Sequence, residues 1–141
     1  MILKVKKLHP EAKIPTRAHA SDAGIDFYAI EEAVFPPKER VNIKTGIAVE
    51  IPEGYVGFIW DKSGVSFNLG LKVMGGVIDA GYRGEMIICL FNTSDKEVVV
   101  EKGRKIIQMI VQKFEHCDIQ EVSDLSETPR GNGREGSTGH L

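Results

Sequence analysis

The sequence predicts an all-β fold, a jelly-roll-like antiparallel β-barrel or sandwich with a flexible C-terminal tail. Glycine supplies 15 of the 141 residues, and this share, above the usual level of about 7%, indicates many turns. The apolar segments are short, and residues 41–45 and 47–51 alternate apolar and polar side chains with a period of two. Many short strands separated by regular turns are typical of β-sandwiches and barrels.

Several segments have the composition and length of strands, and residues that favour turns bound them. In chain order the predicted strands are residues 2–8, 25–29, 41–45, 47–51, 55–60, 71–78, 85–91, 97–100, 105–115 and 119–122. The turns between them are Pro36-Pro37, Pro52-Glu53-Gly54, Gly75-Gly76, Ser94-Asp95-Lys96 and Glu101-Lys102-Gly103. One helix of a turn or two is predicted at residues 63–69, where no run of β-branched residues intervenes.

The end of the chain differs from the rest in composition. Residues 126–141 contain four glycines and one proline, and their only large apolar side chain is Leu141. Such a segment cannot bury enough surface to fold alone. We therefore expect a jelly-roll core over residues 1–125 and a flexible glycine-rich segment over residues 126–141, either a frayed tail or a segment that a ligand orders.

Charge and cysteine content exclude several classes of protein. Lys and Arg number 18 and Asp and Glu 20, so the net charge of −2 argues against binding of nucleic acid through its phosphates. No run of 18 apolar residues is present, and lysines interrupt the N-terminus too early for a signal peptide. Cys89 and Cys117 have no metal-binding spacing, and we expect Cys89 to be a buried free thiol. These features predict a cytoplasmic protein that contacts neither membrane nor nucleic acid.

Five polar turns bracketed by glycine stand at the ends of predicted strands. They are residues 21–26, 61–66, 75–85, 103–108 and 130–139. Each alone is a common β-turn composition. However, Lys62-Ser63-Gly64 and Gly136-Ser137-Thr138-Gly139 offer backbone N–H groups, hydroxyls and a cation, the donors that a polyphosphate needs. The sequence has no GxxxxGK[ST] loop, GxSxG elbow or HExxH helix to suggest another chemistry.

Taken together and in this order, the five turns resemble the five motifs of the trimeric dUTP pyrophosphatases (dUTPases). The resemblance covers about residues 20–139, and its most specific part is Gly-Val-Ile-Asp-Ala-Gly-Tyr-Arg-Gly-Glu at residues 76–85. It implies hydrolysis of dUTP to dUMP and pyrophosphate on a jelly-roll subunit. It also implies a homotrimer whose active sites are shared between chains, with the tail of one chain closing over a site built by the others. The implied cofactor is Mg²⁺, held by the triphosphate and water with no direct protein ligand.

The resemblance also assigns roles within the third motif. Asp79 is implied as the catalytic carboxylate, which orients and activates the attacking water and hydrogen-bonds the sugar 3′-hydroxyl. Tyr82 is implied to place its ring against the deoxyribose, where it rejects a 2′-hydroxyl. The hairpin that contains Val77, Ile78 and Ile87 is implied to read uracil through main-chain groups.

The remaining motifs are implied to hold the phosphates. The residues are Lys62, Ser63 and Gly64 in the second motif, Gln108 in the fourth, and Arg130, Gly136, Ser137 and Thr138 in the tail. Three positions depart from the family: Lys62 and Lys105 stand where Arg is usual, and Glu135 where a Phe usually stacks on uracil. Asp26 in the first motif either orients Mg²⁺-bound waters or pairs with Lys105 across a subunit boundary.

Two other functions are compatible with the same fold. A dCTP deaminase-like enzyme would need a catalytic Glu beside the base-reading strand and could lose the water-orienting Asp. A non-catalytic trimeric binding module would have no need of Asp79 and Tyr82. Because both residues are present, the sequence favours hydrolysis.

Overall fold

The structure is a computed structural model that describes residues 1–133, and in that range short strands make up most of the regular structure. The elements are β1 (Lys4–Lys7), β2 (Ile25–Tyr28), β3 (Ala33–Phe35), β4 (Arg40–Glu50), β5 (Tyr55–Asp61), α1 (Ser63–Leu69), β6 (Leu71–Met74), β7 (Val77–Ile78), β8 (Glu85–Asn92), β9 (Val98–Val100) and β10 (Lys105–Lys113).

The strands form two four-stranded sheets and a two-stranded ribbon, and every pairing is antiparallel. One sheet has the order β1-β4-β8-β6, the other has the order β2-β10-β5-β7, and β3 pairs with β9. The inner faces of the sheets supply one core, whose fully buried members include Phe27, Phe35, Ile43, Leu90 and Met109. Burying each such side chain stabilises the fold by about 1.5–3 kcal/mol. The predicted all-β, jelly-roll-like fold is confirmed.

Strand β8 shows how the period of two sorts side chains. Met86, Ile88 and Leu90 are buried, whereas the residues between them face away from the core. Cys89 is one of these outward residues and is half-buried, so the prediction of a buried thiol is wrong.

The structure differs from the predicted elements at four places. Residues 41–45 and 47–51 belong to one continuous strand, β4. Residues 71–78 are divided into β6 and β7, because Gly75 and Gly76 adopt φ values of 79° and 133° and break the strand. Strand β3 is absent from the predicted elements, because its three residues form a strand only through their pairing with β9. Residues 119–122 form no strand, and Ile119 is almost fully exposed because no described strand pairs with it.

Within residues 1–133, no helix has the length and apolar character needed to cross a membrane.

Candidate active site

The first group of predicted site residues surrounds the buried carboxylate of Asp26 in β2. Lys62 Nζ lies 2.7 Å from Asp26 Oδ1, and Lys105 Nζ lies 2.8 Å from Oδ2. The Asp26 side chain is only 4% exposed. Both partners belong to the same chain as Asp26, so the predicted pairing of Asp26 with Lys105 does not require a subunit boundary. We call Asp26, Lys62, Ser63, Lys105 and Gln108 the lysine cluster.

The charges in this cluster shift the pKa values of their neighbours. Burial by itself raises the pKa of Asp26, but hydrogen bonds from Lys105 and Lys62, together with their positive charges, outweigh burial and hold it below its ordinary value. The hydrogen bond to Asp26 raises the pKa of Lys105. Asp26 is therefore ionised and Lys105 protonated at neutral pH.

Gln108 and Ser63 complete the lysine cluster on the side of β5 and α1. Gln108 stands opposite Asp26 in β2 and Trp60 in β5, and its Nε2 donates to the Asp61 carbonyl at 2.9 Å. A Cβ on Gly24 would overlap Oε1 of Gln108, so a larger residue there would push the Gln108 amide aside. Ser63 and Gly64 are exposed at the start of α1, where a ligand can reach them.

The second group lies in the turn between β7 and β8, residues 79–84, which we call the hairpin turn. Asp79 is exposed, and within residues 1–133 its carboxylate makes no hydrogen bond or ion pair. Its carbonyl accepts the Tyr82 N–H at 3.0 Å, which closes the turn. The Arg83 guanidinium donates to the carbonyls of Ala80 and Tyr82 at 2.5 and 2.9 Å. The turn thus presents a free carboxylate on a hydrogen-bonded backbone.

The Tyr82 ring is fixed by its own hairpin. Its hydroxyl donates to the Glu85 carbonyl at 2.8 Å. A Cβ on Gly84 would lie 2.5 Å from the Tyr82 hydroxyl oxygen and 2.7 Å from Cζ, so the ring rests on the bare backbone of Gly84. Sequence reasoning gave neither Gly84 nor Glu85 a role, although both belong to the quoted third motif.

The apolar residues predicted to surround the base lie beside this turn. Val77 is 63% and Ile87 is 50% exposed, and Ile78 is half-buried. Ile78 and Ile87 help to line a cleft of about 50 Å³ between the sheets. That volume holds one or two water molecules rather than a nucleotide base, since a water occupies about 30 Å³.

Strand β5 separates the two groups. Ile78 pairs with Gly57 near the start of β5, whereas Lys62 follows its last residue, Asp61. Asp79 therefore stands near residue 56, five residues from Asp61, and at about 3.3 Å per residue this is roughly 17 Å along the strand. In one chain the structure does not bring Asp79 and Tyr82 together with the lysine cluster.

The third group belongs to the end of the chain. The backbone N–H of Phe114 donates to the Gly54 carbonyl at 3.2 Å, and the hydrogen bonds of residues 115–133 are local. Arg130 is exposed, and its Nε donates to the Gly133 carbonyl at 3.2 Å. The other predicted tail residues lie outside the described residues: Glu135, Gly136, Ser137 and Thr138.

A larger cavity contains none of the predicted site residues. It measures about 590 Å³ and is lined by four glutamates, Glu11, Glu31, Glu32 and Glu85, together with Lys44, Lys102 and His9. Excess carboxylate disfavours a triphosphate there. Among the described residues, no group of three or more His, Cys, Asp or Glu side chains could hold a metal ion.

Comparisons with known proteins agree on one family. A sequence model of the dUTPase family matches residues 10–139. The deoxyuridine 5'-triphosphate nucleotidohydrolase of Clostridioides difficile is 47% identical over 139 residues, which cover 97% of this chain and 97% of the relative. The deoxyuridine 5'-triphosphate nucleotidohydrolase of Nocardia farcinica is 44% identical over 140 residues, which cover 97% of this chain and 85% of the relative.

Two solved structures of phage proteins have the same fold. The dUTPase of Staphylococcus bacteriophage 80alpha with dUpNHpp matches with a TM-score of 0.92 at 33% identity, over 99% of both chains. A variant of the dUTPase from phage phi11 of S. aureus, described for its coordination of a structural Mg(II) ion, matches with a TM-score of 0.81 at 31% identity. That match covers 88% of this chain and 98% of the phage protein.

Proposed function

The chain belongs to the dUTPase family, and on that premise we propose that three copies of it jointly build each active site for dUTP. Its reaction is the hydrolysis of dUTP to dUMP and pyrophosphate. The observation that supports a shared site is the distance between Asp79 and the lysine cluster. This distance is roughly 17 Å along β5, at about 3.3 Å per residue. Both groups must reach one phosphate, so one copy supplies the hairpin turn, a second the lysine cluster and a third the tail.

Asp79 is the catalytic base in this proposal. A water molecule donates a hydrogen bond to its free carboxylate, and the water oxygen attacks the α-phosphorus. A bond forms from that oxygen to phosphorus, the bond from phosphorus to the bridging oxygen breaks, and pyrophosphate leaves. The water proton passes to Asp79. General-base catalysis of this kind contributes about 10²–10⁴-fold to a rate.

The hairpin selects the nucleoside. The Tyr82 ring stands against the deoxyribose and excludes a 2′-hydroxyl, both by contact and by leaving that hydroxyl without a partner. Main-chain groups between Val77 and Ile87 read the uracil edge, and the exposed side chains of Val77 and Ile87 flank the base. Cytosine presents the opposite donors and acceptors, and the 5-methyl group of thymine has no room.

The lysine cluster and the tail hold the triphosphate. Ser63 and Gly64 are exposed and offer a hydroxyl and backbone N–H groups, and Gln108 lies near the α-phosphate. Lys62 brings positive charge, but it is bound to Asp26 and lacks the planar fork of an arginine. Arg130, Gly136, Ser137 and Thr138 close over the terminal phosphates.

Mg²⁺ is the proposed cofactor, and the donor set of the described residues is compatible with it. Both carboxylate oxygens of Asp26 are paired with lysine ammonium groups, and Asp79 belongs to no group of three or more possible metal-ligating side chains among the described residues. This donor set fits a Mg²⁺ ion that is held by phosphate oxygens and water rather than by several protein ligands. When bound, Mg²⁺ neutralises charge on the triphosphate. Asp79 is the side chain that could accept a hydrogen bond from its waters, since Asp26 is buried and bound to both lysines.

We place this activity in the cytoplasm, where it would keep uracil out of DNA and supply dUMP for thymidylate synthesis. A dCTP deaminase-like activity is not favoured by the comparisons. An assay for ammonia and pyrophosphate on dUTP and dCTP separates the two enzymes, and no release of either product would indicate a binding module.

The first experiment tests Asp79. We expect Asp79→Asn to lower kcat for pyrophosphate release by at least about 10²-fold, while the oligomer and its binding of dUMP persist. Asp95→Asn, in another exposed turn, is the matched control and should keep full activity. A kcat for Asp79→Asn close to that of wild type would remove the proposed mechanism.

The second experiment tests whether sites are shared. Asp79→Asn and Ser63→Glu each damage a different group, and both positions are exposed. In randomly mixed trimers an intact site needs Asp79 from one copy and Ser63 from another, so about one half times one half, or a quarter, of the activity should return. Activity that stays at the level of the two separate variants would show a site within one chain.

A further inference from the structure

Glu85, the first residue of β8, forms two hydrogen bonds that connect Tyr82 to β4. Its carboxylate Oε1 accepts the Gly46 N–H at 2.8 Å. Its backbone carbonyl accepts the Tyr82 hydroxyl at 2.8 Å. The aromatic ring at the hairpin turn is therefore joined through a single residue to a strand of the core sheet.

The Gly46 N–H needs this partner because β4 carries a bulge there. The register changes from Lys44 opposite Ile87 to Ala48 opposite Glu85, so residues 45–47 of β4 face only residue 86 of β8. Gly46 has a φ of 65° and is buried, and the bulge interrupts the regular ladder around it. A buried N–H without a partner is costly, and the Glu85 carboxylate supplies the acceptor.

The Tyr82 ring depends on the same residue for its position. Because the ring already rests on the Gly84 backbone, it cannot move closer to the hairpin. The hydroxyl bond to Glu85 is the directional contact that fixes its angle. A displacement of Glu85 relative to β4 would displace the ring as well.

We propose that Glu85 is a positioning residue for sugar selection, which holds the Tyr82 ring in place by anchoring the start of β8 to the bulge at Gly46. This inference rests on the proposed function, in which Tyr82 excludes the 2′-hydroxyl. Glu85 touches neither sugar nor phosphate in this arrangement. Its effect reaches the substrate through the ring.

The test compares kcat/KM for dUTP with kcat/KM for UTP. In Glu85→Ala we expect this ratio to fall about tenfold, the effect of one lost hydrogen bond. Glu85→Gln keeps an oxygen acceptor at the same reach and should retain most of the ratio. If Glu85→Ala does not fold, Glu85→Asp keeps the charge but loses the reach to Gly46 and should show the same fall.

Thr45→Ala is the matched control at the same bulge. The Thr45 hydroxyl donates to the Met86 carbonyl at 2.7 Å, and it has no connection to Tyr82. We expect Thr45→Ala to lower the melting temperature and leave the ratio unchanged. A fall of the ratio in Thr45→Ala as large as that in Glu85→Ala would overturn the proposal, because general loosening would then explain both.

Measurements on Tyr82→Phe and on the wild type show whether a negative result refutes the proposed function or only the role of Glu85. We expect Tyr82→Phe to lower the ratio, and Tyr82→Phe with Glu85→Ala to lower it no further, since both act on one contact. A wild type that releases no pyrophosphate from dUTP would refute the proposed function itself. A wild type that does so, with an unchanged ratio in Glu85→Ala, would refute only the role of Glu85.

Discussion

Replacement of Asp26 by Asn tests the electrostatics of the lysine cluster. The change keeps the shape of the side chain and removes the only negative charge among residues 1–133 that contacts Lys62 and Lys105. Removal of one partner from a buried ion pair costs about 3–5 kcal/mol. The lysine side chains are 28% and 35% exposed, so water screens part of the remaining charge. We therefore expect a loss of about 2 kcal/mol in the free energy of unfolding at pH 7.

The pKa of Asp26 determines how the difference in the free energy of unfolding should depend on pH. The pKa of Asp26 is lowered in the folded state, so the stability that its charge contributes is present above the unfolded pKa of about 3.9 and is lost as pH falls through the folded value. The free energies of unfolding of wild type and Asp26→Asn in urea should therefore differ at pH 7, and the difference should shrink as pH falls below about 4. Glu11→Gln is the control, because Glu11 and its partner Lys102 are both more than half exposed and should contribute nothing measurable. Equal stability at pH 7, or a difference that does not shrink as pH falls below about 4, would refute the reasoning.

Three further predictions concern activity. Gly84→Ala places a Cβ 2.5 Å from the Tyr82 hydroxyl oxygen, so we expect the preference for dUTP over UTP to fall by about tenfold; unchanged selectivity would show that the ring does not act on the sugar. Glu135→Phe should restore base stacking of about 1–3 kcal/mol and lower KM for dUTP; an unchanged KM would exclude stacking by the tail. Removal of Mg²⁺ with EDTA should lower pyrophosphate release, and added Mg²⁺ should restore it; full activity in EDTA would contradict the proposed cofactor.

Local pattern predicted most of the fold. The alternation in β4 and β8 and the glycine-bracketed turns placed most strands within a few residues of their observed ends. It failed where a strand depends on a distant partner. β3 exists because Val34 pairs with Val99 in β9, and residues 119–122 have strand composition but no described strand to pair with. Pairing of this kind is a property of the folded chain and leaves no period in the sequence.

For the candidate site, the sequence predicts which residues share one turn but not which residues meet across the sheet. Asp79 and Tyr82 lie three residues apart in one motif, and the hydrogen bond from the Tyr82 N–H to the Asp79 carbonyl is local. The pairing of Asp26 with Lys105 spans 79 residues and follows only from the adjacency of β2 and β10. Motif order alone therefore left two roles open for Asp26, and the fold shows that its carboxylate already holds two cations of its own chain.

The rigidity of β5 explains why assembly and activity belong together in the proposed mechanism. β5 pairs with β10 along all seven of its residues and with β7 at Gly57 and Phe58. A strand held on both sides cannot bend enough to bring its two ends to one phosphate. The hairpin turn lies beside the start of β5 and the lysine cluster lies beside its end, so the fold fixes the distance between the two groups. In the proposed mechanism a second copy, placed with its own lysine cluster beside the hairpin turn of the first, closes that distance.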